Sequence, residues 1–119
     1  MRLDSNRLTA GHLMKIYELS QFKGGWVVGD FVPTILISKD FEVAVKSYPA
    51  GFCEPKHHHK IAEEITVIAS GKAKMQGVVL NAGSIVHLAP SESSAFEALE
   101  ATITVVVKRP SVPDDKYLD

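Results

Sequence analysis

The sequence has little cysteine and no block of charge of one sign. Cys53 is the single cysteine among 119 residues, so an internal disulfide cannot form and a scaffold built on disulfides is excluded. Thirteen basic and fourteen acidic side chains leave a net charge of −1. No run of Lys or Arg supplies the positive surface that nucleic-acid binding needs. We therefore predict a cytoplasmic protein without a nucleic-acid partner.

Long hydrophobic runs are also missing. The first fifteen residues lack the apolar core of a signal peptide, and no apolar stretch is long enough to cross a bilayer. Residues 1–13 mix charged residues with Asn, Ser and Gly without periodicity, whereas a regular apolar pattern begins at Met14. We predict a soluble protein with no membrane partner, in which residues 1–13 form a flexible N-terminal arm.

The rest of the chain has the pattern of a single all-β domain. Its length and its 45% of hydrophobic residues suffice for one core. From Met14 onward, short runs rich in Val, Ile, Phe and Tyr alternate with Gly, Pro, Asn and Ser, which is typical of a β-sandwich or barrel. The expected strands are 15–18, 25–29, 34–38, 42–48, 54–59, 64–70, 72–76, 84–88, 94–98 and 101–108.

The last part of the chain combines a very apolar strand with a proline-rich end. Segment 103–108 is apolar at positions of both faces, so we expect it to lie between two layers. Pro110 and Pro113 block further strand pairing. Residues 109–119 are therefore predicted to form an extended C-terminal tail along the surface, which leaves 14–108 as the barrel.

The most informative segment is 51–71, which contains three consecutive histidines. Side chains alternate along a strand, so His57 and His59 point the same way and His58 points the opposite way. After a short reversal, Glu64 opens the next strand and can turn its carboxylate toward the same pair. Two His and one carboxylate suit divalent iron, and also zinc, nickel, copper or manganese. We predict a divalent metal site at His57, His59 and Glu64.

This spacing resembles the first motif of the cupin superfamily, G-x5-H-x-H-x4-E-x6-G. The fixed positions are matched by Gly51, His57, His59, Glu64 and Gly71. The resemblance implies a small single-domain cupin with a double-stranded β-helix barrel over roughly 14–108, and it implies His57, His59 and Glu64 as metal ligands. Residues 108–117 are also similar to the ends of a group of small cupins from bacterial and phage genomes.

The second cupin motif, G-x5-P-x-G-x2-H-x3-N, is where the sequence departs. Counted from Gly83, its Pro, Gly, His and Asn positions fall on Ala89, Ser91, Ser94 and Ala98. A fourth ligand is therefore missing, because Ser94 stands where the motif has His. His87 lies nearby, but alternation places Val86 and Leu88 inward and His87 on the outer face. His87 stays an alternative fourth ligand if this register is wrong.

Several alternatives remain open for the site. The three histidines could form a solvated strand end, or an imidazole pair satisfied by hydrogen bonds in a barrel without metal. Glu63 could supply the carboxylate in a shifted register, although the spacing to Gly71 favours Glu64. Cys53 is interpreted as a small packing residue. Trp26 and Phe31 are interpreted as core or dimer-contact aromatics.

Two functions from different classes fit these observations. One is a metal-dependent enzyme acting on a small molecule, and the other is a non-catalytic module that binds or senses a sugar or carboxylate. Inward residues Thr66, Met75 and Ser94 indicate a modest, mostly apolar cavity for that small-molecule ligand. The apolar segment 14–31 favours a homodimer formed by N-terminal strands.

Overall fold

The computed structural model describes residues 14–119, and the predicted arm at 1–13 lies outside the described residues. The described part of the chain contains ten strands and two short turns of 3₁₀ helix, Leu19–Gln21 and Lys23–Gly25. The strands are Trp26–Val28 (β1), Glu42–Tyr48 (β2), Cys53–His58 (β3), Glu63–Ser70 (β4), Lys72–Met75 (β5), Val78–Asn81 (β6), Ile85–Leu88 (β7), Ser94–Ala98 (β8), Thr102–Arg109 (β9) and Tyr117–Leu118 (β10). Within residues 14–119, no helix is long and apolar enough to cross a membrane.

The strands form two antiparallel five-stranded sheets. The first has the order β1-β2-β9-β4-β7 and the second has the order β10-β3-β8-β5-β6. Strands early in the chain pair with strands late in the chain, as β2 does with β9 and β3 with β8. The prediction of an all-β barrel is confirmed.

The β9 strand is buried on one face only, so the expectation that 103–108 lies between two layers is wrong. Thr102, Thr104 and Val106 face inward and are buried, whereas Ile103 on the other face is 41% exposed. Val105 also faces outward, where it is paired across the sheet with Val45 and Val67. The outer Val and Ile side chains pack against such cross-strand neighbours, and the described residues place no second layer over them.

The hydrophobic core fills one end of the barrel. Its buried members are Ile68, Ala73, Met75, Leu88, Phe96 and Ala98. Ile68 lies in the second half of β4, whereas Glu64 lies at the start of that strand. Leu88 lies opposite Glu64 in the β4–β7 pairing, so the core borders the polar side chains near the start of β4.

The segment before β2 differs from the strands predicted at 15–18 and 34–38. Local hydrogen bonds replace strand pairing there: the Thr34 hydroxyl donates to the Leu36 carbonyl at 2.7 Å, and Gly29 and Ile37 make an isolated bridge. The structure also adds β6, which the sequence analysis missed. A tight turn joins β5 to β6 with positive φ at both Gln76 and Gly77, a conformation that favours a hairpin.

The C-terminal segment is part of the fold and is not only a surface tail, which corrects the prediction for 109–119. Pro110 does follow the end of β9. Beyond it, however, Ser111 and Asp115 are buried, and β10 pairs with β3 beside His57 and His58. The prolines stop β9 at Arg109, but they do not prevent a new pairing that begins at Tyr117.

Candidate metal centre

The three consecutive histidines are placed on opposite sides of the chain, as strand alternation predicts. His57 and His59 both line the interior cavity, and their ring centroids are 5.3 Å apart. His58 points outward, where its ring stacks on Tyr117 with centroids 5.5 Å apart. The C-terminal β10 strand thus pairs with β3 at His57 and His58.

His59 has one nitrogen anchored and the other directed into the cavity. Its Nδ1 is hydrogen-bonded to the backbone carbonyl of Asp115, and a carbonyl can only accept, so Nδ1 carries the hydrogen. The Nε2 atom is buried, has no hydrogen-bond partner among residues 14–119, and lies 3.4 Å from Oε1 of Glu64 without hydrogen-bond geometry. A histidine fixed at Nδ1 by a carbonyl presents Nε2 in the form that binds metals.

His57 has the same arrangement with a different carboxylate. Its Nδ1 donates to the Pro55 carbonyl at 2.9 Å, and its Nε2 lies 3.3 Å from Oε1 of Glu54. Two imidazole lone pairs facing carboxylate oxygens repel unless a proton or a cation lies between them. The donor chemistry therefore fits a divalent metal.

The side chains of His57, His59 and Glu64 do not face one common point. Within residues 14–119, no group of three His, Cys, Asp or Glu side chains is arranged to hold an ion. We attribute this to the pairing just described, in which His57 turns to Glu54 while His59 turns to Glu64.

Glu64 and its neighbour Glu63 point to opposite sides of β4. Glu64 is mostly buried in the cavity and accepts a hydrogen bond from the Thr66 hydroxyl at 2.9 Å. Burial raises the Glu64 pKa, whereas the Lys108 charge and the Thr66 hydroxyl lower it. Glu63 instead lies on the outer face with His87 and Arg109.

Ser94 and His87, the two candidate positions for a fourth ligand, are also separated. Ser94 is buried, faces the cavity and lies directly across from His57 in the β3–β8 pairing. His87 is 62% exposed on the outer face and contacts Glu63 at 2.8 Å. The structure thus places His87 outward and Leu88 inward, as alternation from Gly83 predicts.

The cavity at this end of the barrel has a volume of about 180 Å³. Thr66, Met75 and Ser94 line it as predicted. The expectation of a mostly apolar cavity is wrong, because three lysines and three glutamates also line it. These charged residues are Lys46, Lys108, Lys116, Glu54, Glu64 and Glu92.

The comparisons with known proteins agree with this architecture. No protein-family model and no curated protein matches the sequence. Among solved structures, a Klebsiella pneumoniae protein with a double-stranded β-helix domain is 20% identical with a TM-score of 0.69, covering 94% of this chain and 97% of that one. An RmlC-like cupin from Shewanella frigidimarina is 18% identical with a TM-score of 0.59, covering 64% and 71%. The chain has the cupin fold.

A third similar structure is an enzyme, the DMSP lyase DddQ from Ruegeria pomeroyi. It is 26% identical to this chain with a TM-score of 0.59, and the alignment covers 69% of this chain. The alignment covers 44% of the lyase. The predicted double-stranded β-helix is thus confirmed, and the likeness to the lyase concerns one part of that enzyme.

Sequence reasoning missed several cavity residues of this protein. Lys46 and Tyr48 share the inner face of β2 with buried Ala44, and alternation from Glu42 could have identified them. Trp26, predicted to be a core or dimer-contact residue, lines the cavity instead. No sequence pattern indicated it, because its position depends on how the segment before β2 folds.

Tyr48 supplies a hydroxyl to the cavity. Its ring is stacked on Phe52 at 4.8 Å and lies 4.7 Å from the ring of Phe96. Burial raises the pKa of Tyr48 well above its ordinary value, and the charges of Glu54 and Glu64 raise it further. The hydroxyl therefore keeps its proton and is available as a hydrogen-bond donor.

Cys53 lies outside this centre. It is exposed and lines a different groove, together with Lys74 and Gln76. The strand register shifts between Glu54 and His57, so Cys53 does not share the inner face with the histidines. Its exposure also means that it is not the buried packing residue expected from the sequence.

Proposed function

We propose that this cupin is a metal-dependent enzyme acting on a small molecule, with a divalent metal held by His57, His59 and Glu64. The proposal rests on the surroundings of the Nε2 atom of His59. It is buried, no residue of the described part of the chain is hydrogen-bonded to it, and it faces the Glu64 carboxylate at 3.4 Å. A buried polar atom without a partner is costly, and a bound cation would remove that cost.

The other residues of the centre have definable tasks in such an enzyme. The Asp115 carbonyl fixes the His59 ring, and the Thr66 hydroxyl orients Glu64. Tyr48 holds its proton inside the cavity and can hydrogen-bond an oxygen of the substrate. When bound, the metal would act as a Lewis acid or lower the pKa of a bound water. The similarity to a DMSP lyase supports an enzyme but does not define this reaction.

A second candidate is a metal-free module that binds a small molecule such as a sugar or carboxylate. One specific observation favours it: each imidazole of the pair already has its own carboxylate, Glu54 for His57 and Glu64 for His59. If both rings are protonated, two ion pairs satisfy the site without metal.

Elemental analysis of protein purified without an affinity tag separates the two candidates. We expect stoichiometric divalent metal in the wild type and none after combined His57→Ala and His59→Ala substitution, with the β-sheet circular dichroism spectrum retained. His58→Ala is the matched control, because its ring points outward, and it should keep the metal. Metal that persists in the double variant would refute the site, and a wild type that takes up no metal would favour the module.

A further inference from the structure

We propose that the cavity binds a small organic anion, a carboxylate of a few carbon atoms, whose charged group is held by Lys46 and Lys108 beside Trp26. This extends the proposed function by naming the class of substrate. The lysine pair itself does not depend on a metal.

Lys46 and Lys108 approach the same indole ring from two strands. The Nζ atom of Lys46 lies 5.2 Å from the centroid of Trp26, and that of Lys108 lies 4.8 Å from it. The two lysines flank the pair formed by Ala44 and Val106 across β2 and β9. Since Ala44 is small and fully buried, space is left for both ammonium groups to lean toward the tryptophan.

The hydrogen-bonding capacity of these ammonium groups is only partly used. Lys46 donates to the Gly24 carbonyl at 3.0 Å, and an ammonium has three N–H donors. The Nζ atom of Lys108 lies 3.4 Å from Oε1 of Glu42. The Glu42 carboxylate also accepts a hydrogen bond from the Ser111 hydroxyl. Burial, together with the charges of Lys108 and Lys116, holds the Lys46 pKa below its ordinary value against the opposing effect of Glu54 and Glu64. Lys46 therefore keeps N–H donors for a bound anion.

Lys108 connects this region to the candidate metal centre. It is the cross-strand neighbour of Glu42 on one side and of Glu64 on the other. Three lysines and three glutamates line the cavity, and Glu42 also contacts Lys108, so a divalent cation would leave one positive charge uncompensated. An anion between the lysine pair and the metal centre would restore the balance.

The size of the cavity limits the anion. Its volume of about 180 Å³ is below the roughly 300 Å³ at which pockets for drug-sized ligands begin, so only a compact molecule fits. A second groove of about 380 Å³ shares Trp26, His59, Lys108 and Lys116 with the cavity. That groove, bordered by residues 31–33 and 112–116, offers a path for such a molecule to reach the lysine pair.

The chain contains a single tryptophan, so the emission of Trp26 reports directly on this region. We would titrate acetate, lactate and glycerate, each beside its uncharged amide, into metal-free and metal-loaded protein at constant ionic strength. We expect saturable changes in emission with at least one carboxylate and none with the amides. Lys46→Met should weaken that binding about tenfold, the usual loss for one charge-assisted contact, and Lys46→Arg should retain most of it.

Lys74→Met is the matched control, because Lys74 is exposed and borders a different groove, and it should bind as the wild type does. If carboxylates bind no better than their amides in either form of the protein, or if Lys46→Met binds as well as Lys74→Met, the inference is overturned, whatever the metal content. Lys46-dependent carboxylate binding by a protein that takes up no metal would sustain the inference and refute the metal assignment. The titrations thus distinguish a failure of the anion proposal from a failure of the metal assignment.

Discussion

Glu63 and Glu64 are neighbours in sequence with opposite surroundings. Glu64 lies in the cavity 3.4 Å from the Nε2 atom of His59, whereas Glu63 is held on the outer face by His87 and Arg109. Glu64→Gln should weaken divalent-metal binding at least tenfold because it removes a charged oxygen donor. Glu63→Gln should leave the affinity nearly unchanged. Metal titration that gives the reverse ranking would show that Glu63 supplies the carboxylate.

Ser94 provides a second test of the geometry. Its buried side chain faces the cavity across from His57, so a histidine introduced there could add a nitrogen ligand. Ser94→His should tighten metal binding by about 1 kcal/mol or more if the ring reaches without strain. His87→Ala should change the affinity little, since His87 is on the outer face. Loss of affinity in His87→Ala without a gain in Ser94→His would identify His87 as the ligand.

Part of the candidate site could be predicted because it depends on local geometry. Because side chains alternate along a strand, His57 and His59 share one side and His87 faces away from the cavity. The partners of these residues could not be predicted in this way. Asp115 fixes His59 from 56 residues further along the chain, and Trp26 reaches the cavity because β1 pairs with β2, which places Trp26 opposite Ala44.

At the level of elements, the C-terminal segment holds the loop between β3 and β4. The Asp115 carboxylate accepts hydrogen bonds from the backbone N–H groups of Lys60, Ile61 and Ala62, the closest at 2.9 Å from Ala62. Burial would raise the Asp115 pKa, but these three donors hold it below its ordinary value. The segment thereby supports the loop that carries His59 into the centre.

Asp115→Asn should destabilise the protein because it replaces a charged acceptor of several N–H groups with a neutral amide. Hydrogen bonds to charged groups contribute about 1.5–3 kcal/mol, so we expect the free energy of unfolding to fall by roughly that amount. Thermal and urea unfolding followed by circular dichroism would measure it. Asp114→Asn is the control, since Asp114 is exposed and its positive φ suits Asn. Equal stability of the two variants would contradict the role given to Asp115.

The strands differ in how well the sequence predicted them. The bounds of β2 and β8 agree with the prediction, since each combines apolar alternation with clear breaks on both sides. The segments 15–18 and 34–38 are not strands, although they are rich in strand-forming residues. Turns and side-chain hydrogen bonds such as those of Thr34 outweigh that local preference.

At the level of the whole molecule, the β1-containing sheet has features that favour association of two copies. Within residues 14–119, the outer edge of β1 is partly covered, because the Ile35 N–H donates to the Val27 carbonyl at 2.8 Å. The opposite edge strand of the described sheet, β7, pairs only with β4, and an open edge invites pairing with another chain. The outer face of the same sheet carries Val45, Val105 and Val67 in one row, next to the 66% exposed Ile85. Contiguous apolar surface of this kind is typical of an interface.

We therefore predict a homodimer, which sedimentation equilibrium at micromolar concentration would detect. Val105→Lys should shift it toward monomer, because the substitution puts a charge in the middle of the apolar row. Val79→Lys, on the exposed face of β6, is the control and should remain dimeric. A wild type that sediments as a stable monomer would contradict the prediction.

The pairing of early strands with late ones has a consequence for how the barrel forms in time. The β5–β6 hairpin joins residues close in sequence, whereas β3–β8 and β2–β9 close progressively larger loops around it. Proteins dominated by such distant pairings fold in about milliseconds to seconds, because closing a long loop costs entropy before the contacts that stabilise it can form. Lys46 and Lys108 are on the outermost of these pairs and His59 depends on Asp115. We therefore expect folding intermediates to contain the apolar core before they have a ligand site.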